Sequence, residues 1–150
     1  MVMSSEQSIV KVMRVRSGGR LPQRATPGAA GLDLHACLAE AKTMKIGSDP
    51  VLVPTGIAVE LPPGHEAQIR PRSGLSLRGI MVAFGTVDCD YRGELLVTMY
   101  VVGSRSSYTI SDGDRIAQLV ITALIEPVIQ EVAQLAPTVR GKAGHGSTGI

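Results

Sequence analysis

Three carboxylates lie within seven residues of the sequence, in the stretch GTVDCDYRGE at residues 85–94. Asp88, Asp90 and Glu94 interrupt an otherwise apolar region, with IMVAF before them and LLVTMYVV after them. A carboxylate held next to a water molecule can act as a general base. The same charges could also form the polar tip of an ordinary hairpin. The stretch therefore indicates either a catalytic site or a solvated turn.

A second stretch, RPRSGLSLRG at residues 70–79, has the residue types of an anion site. Pro71 stiffens the approach, and Ser73 is expected to cap a short helix that runs through Leu77. A helix N-terminus preceded by Arg72 can bind an anion with its backbone N–H groups. An ordinary capped turn with solvated arginines is the alternative, and it is the simpler interpretation of this stretch taken alone.

Two polar side chains lie inside apolar runs. Asp33 stands between Leu32 and Leu34 in AAGLDLHA, and Gln118 alternates with apolar neighbours in GDRIAQLV. A charge in an apolar stretch needs a partner or a metal. Taken alone, Asp33 is also explained as an ordinary strand aspartate on the solvent-facing side. Gln118, taken alone, is also explained as a hydrogen-bonded residue of an edge strand.

The C-terminal residues 137–150 are rich in glycine and polar residues. GHGSTG in this segment matches the Gly-x-Gly-x-x-Gly fingerprint, but no predicted strand precedes it and no helix can follow it, so a dinucleotide fold is rejected. Exposed backbone N–H groups together with Arg140 and Lys142 could wrap a polyphosphate and become ordered on binding. A disordered tail is the alternative.

Short apolar stretches separated by glycine and proline must position these groups. Residues 51–71 predict two strands broken at residues 54–56 and 62–64, and the β-branched content of residues 93–104 and 115–132 favours strands over helices. Short strands with Gly/Pro turns indicate an all-β sandwich or barrel. Leu95 to Val102 is apolar on both faces, which suggests packing against another subunit, although interior strands of a sandwich can look similar.

Composition narrows the class of protein. The 150 residues suit one domain, and the net charge of +2 supplies no strong field for nucleic acid, so no nucleic-acid partner is expected. Cys37 and Cys89 are expected to stay reduced, and zinc is not expected because no C-x-x-C pair is present. No apolar run is long enough for a membrane span and no secretory signal is visible. These features predict a soluble intracellular protein, cytoplasmic or, in a eukaryote, nuclear.

AAGLDLHA, RPRSGLSLRG, GTVDCDYRGE, GDRIAQLV and RGKAGHGSTG, read in this order, resemble the five motifs of the trimeric deoxyuridine triphosphate nucleotidohydrolases (dUTPases). The resemblance runs from Ala29 to Gly149 and implies a distorted jelly-roll or β-sandwich subunit in a homotrimer with shared sites. It implies a β-rich domain at residues 1–136 and a flexible arm at 137–150 that closes over an active site. The implied reaction converts dUTP and water to dUMP and pyrophosphate with Mg²⁺. This reaction limits uracil incorporation into DNA and supplies dUMP for dTMP synthesis.

The resemblance also assigns roles to individual residues. It implies that Asp88 is the general base and that Tyr91 lies against the deoxyribose. Asp33 would reach the magnesium through water, while the triphosphate holds most of the ion. The remaining implied substrate contacts comprise the uracil-binding backbone of the hairpin, the phosphate-binding motifs and the arm: Gly85, Thr86, Val87, Leu96, Arg72, Ser73, Gly74, Gln118, Arg140, His145, Gly146 and Ser147.

Two positions depart from the family pattern. His145 stands where an aromatic residue, often Phe, covers the uracil, and Val82 stands near a position where some members carry Asn. Two other functions remain open. A dCTP deaminase-like enzyme would share the fold but deaminate the base, and an inactive dUTPase-like module would use the trimer to bind another protein.

Overall fold

The computed structural model of the chain describes residues 8–142, and this part is built almost entirely from short strands. The strands are β1 Lys11–Arg14, β2 Leu32–His35, β3 Thr43–Ile46, β4 Val51–Glu60, β5 His65–Arg70, β6 Ile80–Val82, β7 Gly85–Val87, β8 Glu94–Val101, β9 Tyr108–Ser111 and β10 Arg115–Ala123. A four-residue helix, α1, spans Ser73–Ser76, and a 3₁₀ turn spans Ala39–Ala41. None of the helices described is long and apolar enough to cross a bilayer.

Two four-stranded sheets form the sandwich. One has the strand order β1-β4-β8-β6 and the other β2-β10-β5-β7, while β3 and β9 form a separate two-stranded sheet. The paired strands run antiparallel. Side chains from both large sheets meet in one hydrophobic core. The predicted all-β, distorted jelly-roll sandwich is confirmed.

Aliphatic side chains fill this core. Leu34, Ile57, Val97 and Leu119 are each at most 1% exposed and come from strands of both large sheets. Burial of an aliphatic side chain of this size stabilises the fold by about 1.5–3 kcal/mol. The sandwich therefore provides a rigid support for the loops at its ends.

The outer face of β8 is covered only in part. Leu95, Val97, Met99 and Val101 point into the core, whereas Leu96 on the opposite face is 36% exposed. The core of the sandwich explains why the inner face of β8 is apolar. Contact with a second subunit would explain why the outer face is apolar as well. Packing of this face against another subunit stays a prediction.

The predicted break at residues 54–56 is wrong, because β4 continues through it. The pairing of β4 with β8 shifts register between Pro54 and Ala58, so the proline lies at the edge of an irregularity, where strands tolerate proline. Gly56 has a φ of +71°, which suits this bend. The break at residues 62–64 is confirmed as the turn between β4 and β5.

The predicted strand character of residues 115–132 holds only for its first half. β10 ends at Ala123, and the described residues from 124 to 142 form no strand. Several apolar side chains of this segment are exposed, among them Ile125 at 90% and Val128 at 95%. Both cysteines are free thiols, in agreement with the prediction, and Cys37 is buried.

Candidate active site

The segment that carries Asp88 connects β7 to β8, which do not pair with each other, so it is a loop between two sheets rather than a β-hairpin. We keep the name hairpin for residues 85–96. β7 pairs with β5, with Gly85 opposite Ile69, and β8 lies in the other large sheet, so the turn bridges the two layers of the sandwich. The Tyr91 N–H donates to the Asp88 carbonyl at 3.1 Å and closes the turn. The Asp88 side chain is exposed at its start. A carboxylate in this place can take a proton from a bound water molecule.

Glu94 anchors the base of the hairpin. Its carboxylate accepts two hydrogen bonds from Arg16 Nε, at 2.7 and 2.9 Å, and one from the Gly56 N–H at 2.8 Å. The ion pair raises the pKa of Arg16 above its ordinary value, chiefly through the hydrogen bond to Glu94. Glu94 is therefore occupied in holding the hairpin to the N-terminal segment, whereas Asp90 is exposed in the turn.

Tyr91 is fixed over the turn by its hydroxyl, which donates to the Glu94 carbonyl at 3.1 Å. The ring lies against Gly93, where an added Cβ would come within 2.5 Å of the Tyr91 ring carbon Cζ. The ring is thus held at the rim of the hairpin, partly exposed toward any bound ligand.

A cavity of ≈ 200 Å³ opens between the hairpin and β5. This volume is below the roughly 300–1,000 Å³ of pockets that enclose drug-sized ligands, so the cavity suits one ring. Its lining contains the six residues of the described chain that the resemblance assigns to the base, the sugar and the reacting water: Gly85, Thr86, Val87, Asp88, Tyr91 and Leu96. Val82 is buried in the core and does not line the cavity.

The helix α1 presents the second group of predicted residues. The N–H groups of Leu75 and Ser76 both donate to the Arg72 carbonyl at 3.0 Å, so Arg72 is the N-cap and Ser73 is the first helical residue. The prediction that Ser73 caps a helix through Leu77 is wrong, since no side chain caps this helix and it ends at Ser76. The N–H groups of Ser73 and Gly74 have no intrahelical acceptor and stay open to a ligand.

Arg72, Ser73, Gly74 and Gln118 line a cleft of ≈ 390 Å³. Gln118 Nε2 donates to the Pro71 carbonyl at 2.9 Å, which ties β10 to the segment before α1. The side chain fits closely against Gly31, where an added Cβ would lie 3.0 Å from Gln118 Cδ. The predicted phosphate-binding residues of the described chain, apart from Arg140, are therefore brought together.

Asp33 lies beside this cleft because of strand register. Gln118 on β10 is opposite Asp33 on β2 and opposite Arg70 on β5, so three polar residues form a row across three strands. Asp33 pairs with Arg72 Nε and Arg115 Nη1, each at 3.4 Å, and Arg72 also donates to the Arg115 carbonyl at 2.9 Å. The sequence predicts that a charge in this apolar stretch needs a partner or a metal, and the half-buried Asp33 has two cationic partners.

His35 lies two residues further along β2, in the same region. Burial lowers the pKa of His35 below its ordinary value, and the charge of Arg20 adds to this effect. Its Nδ1 atom is buried and has no hydrogen-bond partner among residues 8–142. The neutral imidazole is therefore the form that the fold favours.

Magnesium fits this site only together with phosphate. The described residues contain no group of three or more His, Cys, Asp or Glu side chains that could hold a metal ion. Mg²⁺ commonly keeps several waters and binds through one or two carboxylates and substrate phosphates. A single carboxylate, Asp33, next to a cleft lined by Arg72 and Gln118 matches that pattern of binding.

The cavity beside Asp88 and the cleft beside α1 are separate within one chain. Of the described residues, none lines both. Arg140 lies exposed in the segment that follows β10, while His145, Gly146 and Ser147 lie outside the described residues. The predicted domain boundary at residue 137 and the closing arm stay predictions.

Arg115 is a candidate that the sequence did not reveal. A regular strand would place residues 115 and 118 on opposite faces. The pairing of β10 with β2 shifts register between Arg115 and Ala117, and this irregularity lets Arg115 reach Asp33 from the same side as Gln118. Only the turn signal Gly113-Asp114 before it suggests an irregular strand start.

Comparison with known proteins agrees with this geometry. A family model described as dUTPase matches residues 18–149. A deoxyuridine 5'-triphosphate nucleotidohydrolase from Anaeromyxobacter sp. (strain Fw109-5) is 49% identical over 146 residues, covering 93% of this chain and 97% of the relative. A protein of the same name from Anaplasma marginale (strain St. Maries) is 48% identical over 145 residues, with the same coverage of 93% and 97%.

Solved structures share the fold. A mutant dUTPase of Staphylococcus bacteriophage 80alpha with dUpNHpp has a TM-score of 0.83 at 24% identity, covering 95% of this chain and 99% of its own. A mutant dUTPase from phage phi11 of S. aureus, described with a structural Mg(II) ion, has a TM-score of 0.74 at 22% identity, covering 84% and 97%. Since the family model spans most of the sequence and relatives near half identity match over nearly their whole length, the chain belongs to the dUTPase family.

Proposed function

We propose that this protein hydrolyses dUTP to dUMP and pyrophosphate, with Asp88 as the general base. The observation that carries the proposal is the cavity of ≈ 200 Å³ whose rim bears Asp88 and Tyr91 and whose wall is the backbone of β7. Asp88 takes a proton from water as the water oxygen attacks the α-phosphorus. The bond to the bridging oxygen then breaks, and pyrophosphate leaves.

The backbone of the hairpin recognises the base. N–H and C=O groups between Gly85 and Val87, returning near Leu96, pair with the polar edge of uracil. A cavity for one ring leaves no room for the 5-methyl group of thymine, and cytosine presents a donor where uracil presents an acceptor. A mispaired buried polar group costs about 1–3 kcal/mol, so each mismatch lowers kcat/KM by about tenfold or more.

Tyr91 selects the sugar. The hydroxyl bond to the Glu94 carbonyl at 3.1 Å and the contact with Gly93 hold its ring in one place. A ring fixed in this way lies against C2′ of the deoxyribose and excludes a 2′-hydroxyl. Ribonucleotides are therefore poor substrates.

Arg72, Ser73, Gly74 and Gln118 bind the phosphate chain. A guanidinium and open N–H groups at a helix start are suitable donors for phosphate oxygens. Asp33 is the carboxylate that would hold Mg²⁺ through water, and the ion, when bound with the triphosphate, would neutralise part of the phosphate charge. The structural Mg(II) ion of the phage phi11 dUTPase supports a role for this ion in the family.

The active unit is a homotrimer. This part of the proposal is supported by the separation of the two clefts in one chain, by the exposed Leu96 of β8 and by the exposed apolar residues of the segment from 124 to 139. The hairpin of one subunit then meets the phosphate cleft of another. Residues 137–150, with Arg140, His145, Gly146 and Ser147, close over the bound nucleotide. Because nucleotides are made inside cells, the proposed compartment is intracellular, cytoplasmic or, in a eukaryote, nuclear.

The test is pyrophosphate release from dUTP by wild type, Asp88→Asn and Asp90→Asn. Asp88→Asn is expected to lower kcat by several orders of magnitude with little change in KM, because a base acts mainly in the transition state. Asp90→Asn is the matched control, since it removes a neighbouring exposed carboxylate, and its kcat is expected to stay near wild type. Normal turnover by Asp88→Asn would refute the assignment, and ammonia release from dCTP would indicate a deaminase instead.

A further inference from the structure

Two arginines outside the proposed base-binding cavity approach the same tyrosine ring. The guanidinium carbon of Arg78 lies 5.6 Å from the centroid of Tyr108, and that of Arg105 lies 5.9 Å from it. Neither guanidinium forms an ion pair with a carboxylate in the described part of the chain. A ring face orients a cation without neutralising its charge. Two positive charges are therefore held close together and remain available to an anion.

Both guanidiniums line a cleft of ≈ 630 Å³ between the end of α1 and the loop from β8 to β9. Four serines also line it, at positions 76, 104, 106 and 107, and none of the described lining residues is acidic. Serine hydroxyls and guanidinium N–H groups are the donors that phosphate oxygens accept. The cleft thus has the chemistry of a phosphate-binding site.

Contacts between the two walls show that this cleft is a fixed part of the fold. Gly79 has a φ of +74°, and a Cβ at this position would lie 2.7 Å from the Val102 carbonyl oxygen. The Val102 N–H donates to the Gly79 carbonyl at 2.9 Å. Arg105 Nε donates to the Arg78 carbonyl at 3.1 Å. Backbone and side-chain bonds therefore hold the β8–β9 loop against the residues after α1.

Arg78 also lines the cleft that contains Arg72, Ser73, Gly74 and Gln118. One guanidinium thus borders two neighbouring cationic clefts, and an anion that leaves the first meets donors of the second. We propose that the cleft of Arg78, Arg105 and the four serines is a second pyrophosphate site, separate from the site of the reaction. Two linked phosphoryl groups can engage both guanidiniums at once, which favours pyrophosphate over orthophosphate. The proposal rests on the proposed function only for the source of the pyrophosphate.

Direct binding tests the site without catalysis. Inorganic pyrophosphate is titrated into the ¹⁵N-labelled full-length protein, and the amide signals of residues 103–107 are followed. Saturable shifts are expected in wild type, with about tenfold weaker binding in Arg105→Ala, because one charge-assisted donor pair is lost. Lys45→Ala is the matched control, since it removes an exposed cation from the neighbouring strand β3 that does not line the cleft. Tyr108→Phe keeps the ring and is expected to bind as wild type.

Product inhibition tests the consequence for the enzyme. Pyrophosphate is expected to inhibit dUTP hydrolysis with a noncompetitive component in wild type and in Lys45→Ala. In Arg105→Ala this noncompetitive component should be lost, while the rate without added pyrophosphate should not change. The site is refuted if residues 103–107 do not respond, if chloride at equal ionic strength gives the same shifts, or if Lys45→Ala weakens binding as much as Arg105→Ala. If the protein showed saturable amide shifts with pyrophosphate but did not hydrolyse dUTP, the proposed function would be refuted and the pyrophosphate site would still be supported.

Discussion

The cavity proposed to bind the base and the cleft proposed to bind the phosphates are built from different chemical groups. The cavity at the hairpin uses backbone groups, small residues and one fixed ring, and the carboxylate of Glu94, which also lines it, is held by Arg16 and by the Gly56 N–H. The cleft at α1 uses the guanidiniums of Arg72 and Arg78 and the Gln118 amide. Shape and backbone bonds depend little on salt, whereas charge–charge attraction is screened. The first region should therefore set specificity and the second should set affinity for the triphosphate.

Arg72→Ala is expected to have the largest effect that separates the two regions. It removes charge-assisted bonds to phosphate and one partner of Asp33, so kcat/KM for dUTP should fall on the order of 100-fold or more. Arg72→Lys should recover part of the loss, because lysine keeps the charge without the planar fork. Steady-state kinetics with dUTP and with dTTP measure kcat/KM in Arg72→Ala and in Arg72→Lys. A change in the preference for dUTP over dTTP would contradict the division of roles.

Tyr91→Ala is the complementary change in the hairpin. Loss of the ring opens space beside the sugar, so the preference for dUTP over UTP should fall by about 10- to 100-fold. Tyr91→Phe keeps the ring but removes the bond to the Glu94 carbonyl, and it should lower this preference much less. Competition between the two nucleotides gives the ratio of kcat/KM directly. An unchanged ratio in Tyr91→Ala would show that another residue selects the sugar.

Ionic strength should produce a smaller effect, confined to the phosphate cleft. Between 0.1 M and 1 M salt the screening length falls from about 10 Å to about 3 Å, so KM for dUTP should rise several-fold. The preference for dUTP over dTTP should not change, because both substrates carry the same triphosphate. If salt altered this preference, charge would contribute to base recognition.

The smallest expected effect concerns the core behind the hairpin, at Cys37. Burial raises the pKa of the Cys37 thiol above its ordinary value of 9.0. In the unfolded chain the thiol ionises first as the pH rises, so its contribution to stability is complete below pH 9.0 and is lost above it. Urea unfolding at pH 8 and pH 10 measures the loss. Cys37→Ala should reduce the loss in free energy of unfolding between pH 8 and pH 10, and Cys89→Ala should not. An equal loss in wild type and both variants would contradict the expectation.

The sequence predicts the fold class from local signals, whereas the roles of the site residues come from the resemblance to the dUTPases and stay predictions. Alternating apolar residues and Gly/Pro turns are local signals, and the hairpin residues from Gly85 to Leu96 are close in the chain, so they lie in one cavity as expected. Gln118 and Asp33 are 85 positions apart, and only the register of β10 with β2 brings them together. The side from which Arg115 reaches Asp33 depends on an irregularity in that pairing, which no local pattern encodes.

Errors occurred where tertiary contacts override local preference. Pro54 predicts a strand break by its residue type, but an irregular pairing with β8 accommodates it inside β4. Ser73 predicts a helix cap by its residue type, but the Arg72 carbonyl closes the first turn. Residues 124–132 have strand-forming composition, yet they pair with no strand among the described residues, and a strand needs a neighbour to form.

The bond between the Gly56 N–H and Glu94 makes one amide a reporter of hairpin motion. Gly56 belongs to β4, and its hydrogen exchange rate measures how often the contact with Glu94 opens. Arg16, which precedes Glu94 by 78 residues in the chain, binds the same Glu94 carboxylate. We therefore expect fluctuations of the N-terminal segment and of the loop that carries Asp88 to be coupled on the timescale of local opening, so that a probe on either one follows the other.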